Sequence, residues 1–250
     1  MTRDDRELSW RRHQRHAFHR PSPDLAPHVA RYWEVSWHYD RPYRQLVVPY
    51  PNVHLTFHDG VARLTGVSSG HAVKELAGVG RVFGVAFRPG AFRPFLGAPV
   101  QSLTDRTVPA TTVFDHLPAR ADRASVEDAL RRNLPEPDPR ARLAVELVDR
   151  IADDPAMTRV DALAREVGLG VRQLQRLFAE HVGVGPKWVI RRYRLREVTE
   201  RMAAGGRIDW AALAADLGYA DQPHFVRDFT AMVGEPPTRY AERYSVPAAT

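Results

Sequence analysis

The stretch VRQLQRLFAEHVG, which begins at Val171, carries three hydrogen-bonding side chains at helical spacing. Arg172, Gln175 and Arg176 fall at positions i, i+3 and i+4, which lie on one side of a helix. The opposite side is an apolar stripe of Val171, Leu174, Leu177 and Phe178. Arginine can donate two hydrogen bonds to guanine, and glutamine can bond both sites on adenine. The polar side therefore has the chemistry to read base edges, although a solvated helix surface carries the same residue types.

A short pattern that precedes this helix occurs twice in the chain. DALAREVGL begins at Asp161, and AALAADLGY begins at Ala211, 50 residues later. In each copy an apolar helical run ends at a glycine, Gly168 or Gly218, as expected of a residue that adopts positive φ. A second helix follows each glycine, and two helices joined by a short glycine turn are typical of a helix-turn-helix. In that motif the second helix enters the major groove of DNA.

The second copy has a less polar outer face on its second helix, within ADQPHFVRDFTAMVG. Asp209 and Asp221 are predicted to cap its two helices. The outer-face candidates are Gln222, Pro223, Val226 and Arg227. Pro223 and Val226 cannot hydrogen-bond to bases but can contact thymine methyl groups. The first motif is therefore the better candidate for sequence readout.

The segment between the copies, PKWVIRRYRLREVTERMAAGG, is predicted to be one helix that ends at two glycines. About 18 helical residues span roughly 27 Å. With the width of the flanking motifs added, two recognition helices could lie about 34 Å apart, which is one turn of DNA. The DNA-backbone candidates on this helix are Arg191, Arg192, Arg194 and Arg196. They cover several faces, so we expect one or two to contact phosphate and the others to pair with Glu197 and Glu200.

The first half of the chain has the pattern of antiparallel strands. NVHLTF alternates, the dipeptide Asp59-Gly60 suits a tight turn, and VARLTG returns. YWEVSW and RVFGVAF are two further predicted strands. We therefore predict a small antiparallel barrel or sandwich over residues 1–118, a helix and proline-rich linker over 119–139, and an all-helical domain over 140–244. The predicted class is α+β.

The composition limits which classes of protein are plausible. With 44% hydrophobic and 26% charged residues, a packed core is expected. The absence of cysteine excludes disulfides, thiolate zinc sites and cysteine nucleophiles. No stretch approaches the roughly 20 apolar residues of a membrane span, so a cytoplasmic protein with no membrane partner is expected. The net charge is +6, but residues 138–244 hold 17 Arg and Lys against 16 Asp and Glu, so bulk charge does not single out the helical half.

Other chemistries fit the N-terminal half poorly. His54 and His58 share a strand face but stand about 13 Å apart, too far to hold one metal ion. Residues 66–70 spell G-x-S-x-G, but a hydrolase elbow needs a large parallel sheet. Arg88 and Arg93 flank a Pro-Gly turn and are weak candidates for an anion or ligand site at a short helix start. We expect no catalytic residue, no metal and no cofactor.

Residues from about 140 to 244 resemble the DNA-binding domain of the AraC/XylS family of bacterial transcriptional regulators. The resemblance rests on ALAREVGLGVRQLQRLFAEHVGVGPKWVIRRYRL and DWAALAADLGYADQPHFVRDFTAMVGEPPTRY. It implies base contacts by the candidates named above on both second helices, with double-stranded promoter DNA as the partner. It also implies a cupin-like N-terminal sensor or dimerisation domain, and VFGVAFRPGAFRPFLGAPVQSLTD is similar to an uncharacterised N-terminal domain of some members.

The leading hypothesis is a sequence-specific regulator of transcription, activating or repressing, whose N-terminal domain modulates DNA binding. Contact with RNA polymerase, a small-molecule effector, and a monomeric or homodimeric state all stay open. One alternative is an enzyme or ligand-binding barrel that uses the helices only to reach DNA. Another is a helical bundle that binds proteins. A repair regulator that accepts alkyl groups on cysteine is excluded, because the chain has none.

Overall fold

The computed structural model describes residues 13–203 and 208–242. Its N-terminal part contains six strands: β1 (Gln14–His19), β2 (Val29–Val47), β3 (His54–His58), β4 (Val61–Thr65), β5 (Ala72–Phe87) and β6 (Thr107–Pro109). They form one sheet in the order β1-β2-β5-β3-β4-β6, and every neighbouring pair is antiparallel. The strands predicted from alternation are all present.

The predicted hairpin joins β3 to β4. Asp59 and Gly60 have φ angles of 49° and 74°, the positive values that a two-residue turn between twisted strands requires. Leu55 on β3 pairs with Leu64 on β4, and both side chains are fully buried. The alternation therefore identified the face of the sheet that packs on the core.

Aromatic side chains cover that face of the sheet. Phe87, at the end of β5, lies 4.7 Å from Phe92 and 6.0 Å from Phe114, measured between ring centroids. The short helix α1 (Arg93–Leu96) belongs to the same segment. Helical segments thus close the core where a sandwich would place a second sheet. The structure confirms an antiparallel β domain and refines its form to a single sheet with β1 and β6 at its two ends.

The helix predicted before the proline-rich linker is α2 (Arg123–Arg132). It packs on the N-terminal domain, because Val126 and Leu130 are buried in the same core as the sheet. Its Arg131 also contacts Asp24, with 2.7 Å between Nε and Oδ2. The sequence predicts a helix and proline-rich linker over residues 119–139, and α2 lies within that range.

The C-terminal part is helical, and this confirms the α+β class. Its helices are α3 (Pro139–Asp153), α4 (Val160–Glu166), α5 (Val171–His181), α6 (Pro186–Ala203), α7 (Trp210–Asp216), α8 (Gln222–Val233) and α9 (Pro237–Ala241). Among the described residues, no helix has the length and apolar character needed to cross a bilayer. The glycines predicted to end α6, at 205 and 206, lie outside the described residues.

Two hydrophobic cores, one for each copy of the repeat, lie on either half of α6. The first core contains Phe178 of α5 together with Val189 of α6. The second contains Phe225 of α8 together with Leu195 and Val198 of α6. Since one continuous helix supplies side chains to both cores, α6 is a strut between the two motifs, as the sequence predicted.

Candidate nucleic-acid interface

The first helix-turn-helix consists of α4 and α5. Gly168, which follows α4, has a φ of 66°, and the Leu169 N–H donates to the Ala164 carbonyl over 3.0 Å. The side chain of Gln173 accepts a hydrogen bond of 2.8 Å from the Gly170 N–H. This contact fixes the start of α5 and thereby the direction in which the helix leaves the turn.

The predicted readout residues of α5 all lie on its accessible face. Arg172, Gln175 and Arg176 are exposed, whereas Leu174 and Phe178 are fully buried on the opposite side. One member of the predicted buried stripe, Val171, is instead 39% exposed, because it is the first residue of the helix and no preceding turn covers it. The face of α5 that is free of other protein contacts is therefore polar and cationic.

The second helix-turn-helix consists of α7 and α8, with Gly218 at a φ of 77° between them. Asp209 caps α7 by accepting from the Ala211 N–H over 3.0 Å. Asp221 caps α8 by accepting from the His224 N–H over 2.6 Å. Both predicted caps are confirmed. The two motifs thus share the glycine turn, although they begin their second helices with different side chains.

The outer face of α8 is mixed. Gln222, Pro223 and Arg227 are exposed, but Val226 is half-buried and packs against the second core. Pro223 is the second residue of α8, where a backbone N–H would have no partner within the helix. This face therefore offers two hydrogen-bonding side chains beside a small apolar surface.

A charged cluster lies on the inner flank of α8. The Oδ2 atom of Asp228 is 3.1 Å from Nε of Arg191 on the strut and 3.7 Å from Nε2 of His224. Tyr219 packs edge-on against the His224 ring, with 5.2 Å between centroids. Burial is the main cause that raises the pKa of Tyr219, and the negative charge of Asp228 raises it further. The hydroxyl of Tyr219 therefore stays protonated. Any phosphate that approaches Arg191 must compete with Asp228.

Two of the four strut arginines predicted to lie near DNA are in the interior. Arg192 is 4% exposed, donates from Nε to the Pro49 carbonyl, and stacks 3.8 Å above the Tyr50 ring centroid. Arg194 is 2% exposed and donates to the Ile151 carbonyl over 2.6 Å. Burial lowers the pKa of both guanidinium groups from the usual value. Assigning these two arginines to the DNA backbone was wrong, because the N-terminal domain and α3 cover their faces of α6.

The other two strut arginines, Arg191 and Arg196, are half-buried and remain backbone candidates. Arg194 forms the expected ion pair with Glu197, with 2.5 Å between NH1 and Oε1. The side chain of Glu200, the other expected partner, lies outside the described residues.

The suggested anion site at Arg88 and Arg93 is also corrected. Arg88 forms an ion pair with Asp149 of α3. Arg93 lies 3.9 Å from Asp138, the residue that caps α3. Both arginines therefore face carboxylates of the connecting region and the C-terminal domain. The helix that begins at Arg93 has only four residues.

The remaining motifs of the N-terminal half have structural contacts. His54 accepts at Nδ1 from the Trp33 indole N–H over 3.3 Å, and burial lowers its pKa to about 4. The G-x-S-x-G segment leads from strand β4 to strand β5, so it is not a strand-to-helix elbow. Its Ser69 donates from Oγ to Asp105 over 2.7 Å. Among residues 13–203 and 208–242, no three His, Cys, Asp or Glu side chains are grouped so that they could bind a metal.

One feature without a sequence signal is a cleft of about 460 Å³ between the domains. Its walls include Ser69 from the N-terminal domain, Lys187 and Trp188 from the strut, and Asp228 and Met232 from α8. Because three distant segments form it, no local pattern could have indicated it.

Comparison with known proteins matches each half of the chain separately. Residues 17–109 match a family described as a domain of unknown function (DUF6597). Residues 163–243 match a family described as a helix-turn-helix domain. None of the curated proteins compared with the chain matches it.

Several solved structures are similar to parts or most of the chain. The C-terminal domain of AraT, a response regulator from Geobacillus stearothermophilus, is 16% identical, with a TM-score of 0.38 over 45% of this chain and 92% of that one. A probable AraC family transcriptional regulator from Rhodopseudomonas palustris is 22% identical, with a TM-score of 0.35 over 39% of this chain and 93% of that one. ToxT from Vibrio cholerae is 9% identical, with a TM-score of 0.40 over 94% of this chain and all of that one.

The match at residues 163–243 covers both glycine turns, both second helices and the strut between them. Residues 163–243 are therefore an AraC-type helix-turn-helix domain, and the chain is a DNA-binding transcriptional regulator.

Proposed function

We propose that one chain reads two successive major grooves, with α5 in the first and α8 in the second. The observation that carries this proposal is the accessibility of both polar faces at once. Arg172, Gln175 and Arg176 are exposed on α5, and Gln222 and Arg227 are exposed on α8. The strut α6 has 18 residues, which corresponds to about 27 Å of helix. That length suits two readers spaced one DNA turn apart once their own width is added.

The two helices make unequal contributions in this proposal. In α5, two arginines and a glutamine can form bidentate hydrogen bonds with guanine and adenine. In α8, Gln222 and Arg227 supply the hydrogen bonds, whereas Pro223 and Val226 contact thymine methyl groups. Because methyl contacts discriminate less than bidentate pairs do, the half-site read by α5 is the more stringent one.

Phosphate contacts come from the exposed sides of the strut and hold the two readers in register. Arg191 and Arg196 are the candidates, since the other two strut arginines are buried. Arg191 must exchange its ion pair with Asp228 for a phosphate oxygen, which couples strut and α8 when DNA binds.

The N-terminal domain modulates DNA binding in this proposal, and its contacts with the strut support that role. The buried Arg192 and the indole of Trp188 both bond to backbone carbonyls of the N-terminal domain. A change in that domain is therefore transmitted to the helix that connects the two readers.

Selection of the full chain on random DNA duplexes, at a fixed salt concentration near the physiological value, tests the proposal. We expect two enriched sequence blocks centred about 10 base pairs apart. A single enriched block would mean that α8 only clamps the backbone. Salt-sensitive binding without any enriched sequence would refute sequence-specific readout by this chain.

A further inference from the structure

The N-terminal domain contacts the two helix-turn-helix motifs at corresponding places. Gly183 follows α5 and Gly234 follows α8, 51 residues apart in the repeat. Thr104 donates from Oγ1 to the Gly183 carbonyl over 2.6 Å. His71 donates from Nδ1 to the Ala231 carbonyl over 3.2 Å, in the last turn of α8. The N-terminal domain thus holds each motif at the C-terminal end of its recognition helix. The exposed readout residues lie in the first half of the same helix.

Both glycines lie directly beneath side chains of the N-terminal domain. A Cβ atom at Gly183 would come within 3.2 Å of the Thr104 hydroxyl, and one at Gly234 within 2.7 Å of the His71 ring. Their φ angles are nearly equal, 94° and 95°. We call the glycine that follows each recognition helix, Gly183 or Gly234, the corner of its motif. The same corner therefore makes the close approach in both copies of the repeat.

A single short segment of the N-terminal domain reaches both motifs and the strut. Val67 is fully buried in the core of the first motif. Two residues later, the Ser69 carbonyl accepts from the indole N–H of Trp188 on the strut over 2.8 Å. After two more residues, His71 contacts the second motif. Five extended residues span at most about 17 Å, so this bridge, residues 67–71, links the three parts over a short distance.

The bridge is itself fixed to its own domain. Asp105 accepts from both the backbone N–H and the hydroxyl of Ser69, each over 2.7 Å. The Asp105 N–H in turn donates to the Val67 carbonyl over 2.9 Å. A rigid mount of this kind transmits the position of the sheet to the helices it contacts.

We propose that the N-terminal domain is a brace that sets the distance and rotation between the two recognition helices, and so the half-site spacing that the protein accepts. Thr104 and His71 are the positioning residues. The proposal rests on the proposed reading of two grooves. Changing the spacing by one base pair moves a half-site by about 3.4 Å and rotates it by about 35°. Motifs held at both outer corners and at the strut cannot follow that change, whereas unbraced motifs can.

The first test measures the brace without DNA. Because the chain has no cysteine, the variants Arg165→Cys and Ala215→Cys place two spin labels at corresponding exposed positions of the repeat. Without further changes, we expect pulsed electron paramagnetic resonance to give one narrow distribution of the distance between the two labels. The added changes Thr104→Val and His71→Ala remove both corner hydrogen bonds, and the distribution should broaden.

The controls separate loss of the brace from general damage. Thr104→Ser with His71→Asn keeps a donor at both corners and should restore the narrow distribution. Thr111→Val with His38→Ala changes the same residue types at exposed positions of the N-terminal domain and should leave it unchanged. A distribution that stays narrow after Thr104→Val with His71→Ala would overturn the brace.

The second test measures half-site spacing. Each corner hydrogen bond shifts an equilibrium by about fivefold, so the preference for one spacing over its one-base-pair neighbours should fall by about tenfold or more in the Thr104→Val, His71→Ala protein. If two half-sites are recovered and the spacing preference is unchanged, the brace is wrong and two-groove reading stands. If selection recovers one block only, two-groove reading fails, and the spin-label distances decide the brace alone.

Discussion

Replacing Arg192 by alanine distinguishes the role that the structure assigns to this residue from the role that its position in an arginine-rich helix suggests. The guanidinium is 4% exposed, bonds to the Pro49 carbonyl and stacks on Tyr50. A hydrogen bond from a charged donor contributes about 1.5–3 kcal/mol, and a desolvated cation–π contact about 2 kcal/mol. Release of the desolvation cost of a buried charge offsets part of this loss. We expect a net destabilisation of about 2–3 kcal/mol.

Two assays, of stability and of the salt dependence of DNA binding, test the Arg192→Ala variant. Urea unfolding should show a lower midpoint for Arg192→Ala, whereas Arg201→Ala, which removes an exposed ion pair with Asp216, should change stability by less than about 1 kcal/mol. Neither substitution should change the slope of log K against log salt for DNA binding relative to the parent protein. A phosphate contact would instead lower that slope by about 0.9. Unchanged stability together with a lower slope for Arg192→Ala would refute the reasoning.

Three further predictions concern single side chains. Arg176→Ala should cost about 1–3 kcal/mol at one base pair and relax specificity there, and an unchanged selected site would contradict this assignment. Asp221→Ala removes the cap of α8 and should lower the free energy of unfolding by about 1 kcal/mol, measured by urea unfolding, and no change would argue against the cap. Burial lowers the pKa of His54 to about 4, so the unfolded chain binds a proton more readily. Its contribution to stability is complete above pH 6.5 and should be lost by up to about 3 kcal/mol as the pH falls towards 4. His54→Asn should remove this part of the pH dependence, and identical unfolding profiles from pH 7.5 to 4.5 in both proteins would refute it.

The helical half was largely predictable, because its signals are local. Gly168 and Gly218 mark the turns and adopt the expected positive φ, and Asp209 and Asp221 form the expected caps. The period of buried residues on α5 separated the polar face from the core, with an error only at Val171, where the helix begins. Each of these features depends on residues within one or two helical turns.

The relation between the two halves was not predictable, because it depends on contacts between distant segments. Arg192 and Arg194 differ from Arg191 and Arg196 only in which side of α6 is covered. Nothing local to α6 indicates that the Pro49 carbonyl lies above it. For the same reason, the segment containing Ser69 resembled a hydrolase motif in sequence, although it contacts the strut in the structure.

The central claim, that one chain reads two successive major grooves, is tested most directly by protection of guanine N7, a major-groove atom, from methylation on the selected site. With one chain bound per duplex, we predict two protected segments about 10 base pairs apart. Arg176→Ala should lose protection in one segment only, and Arg227→Ala in the other only. Loss of the same segment in both variants, or a single protected segment in the parent protein, would contradict the account.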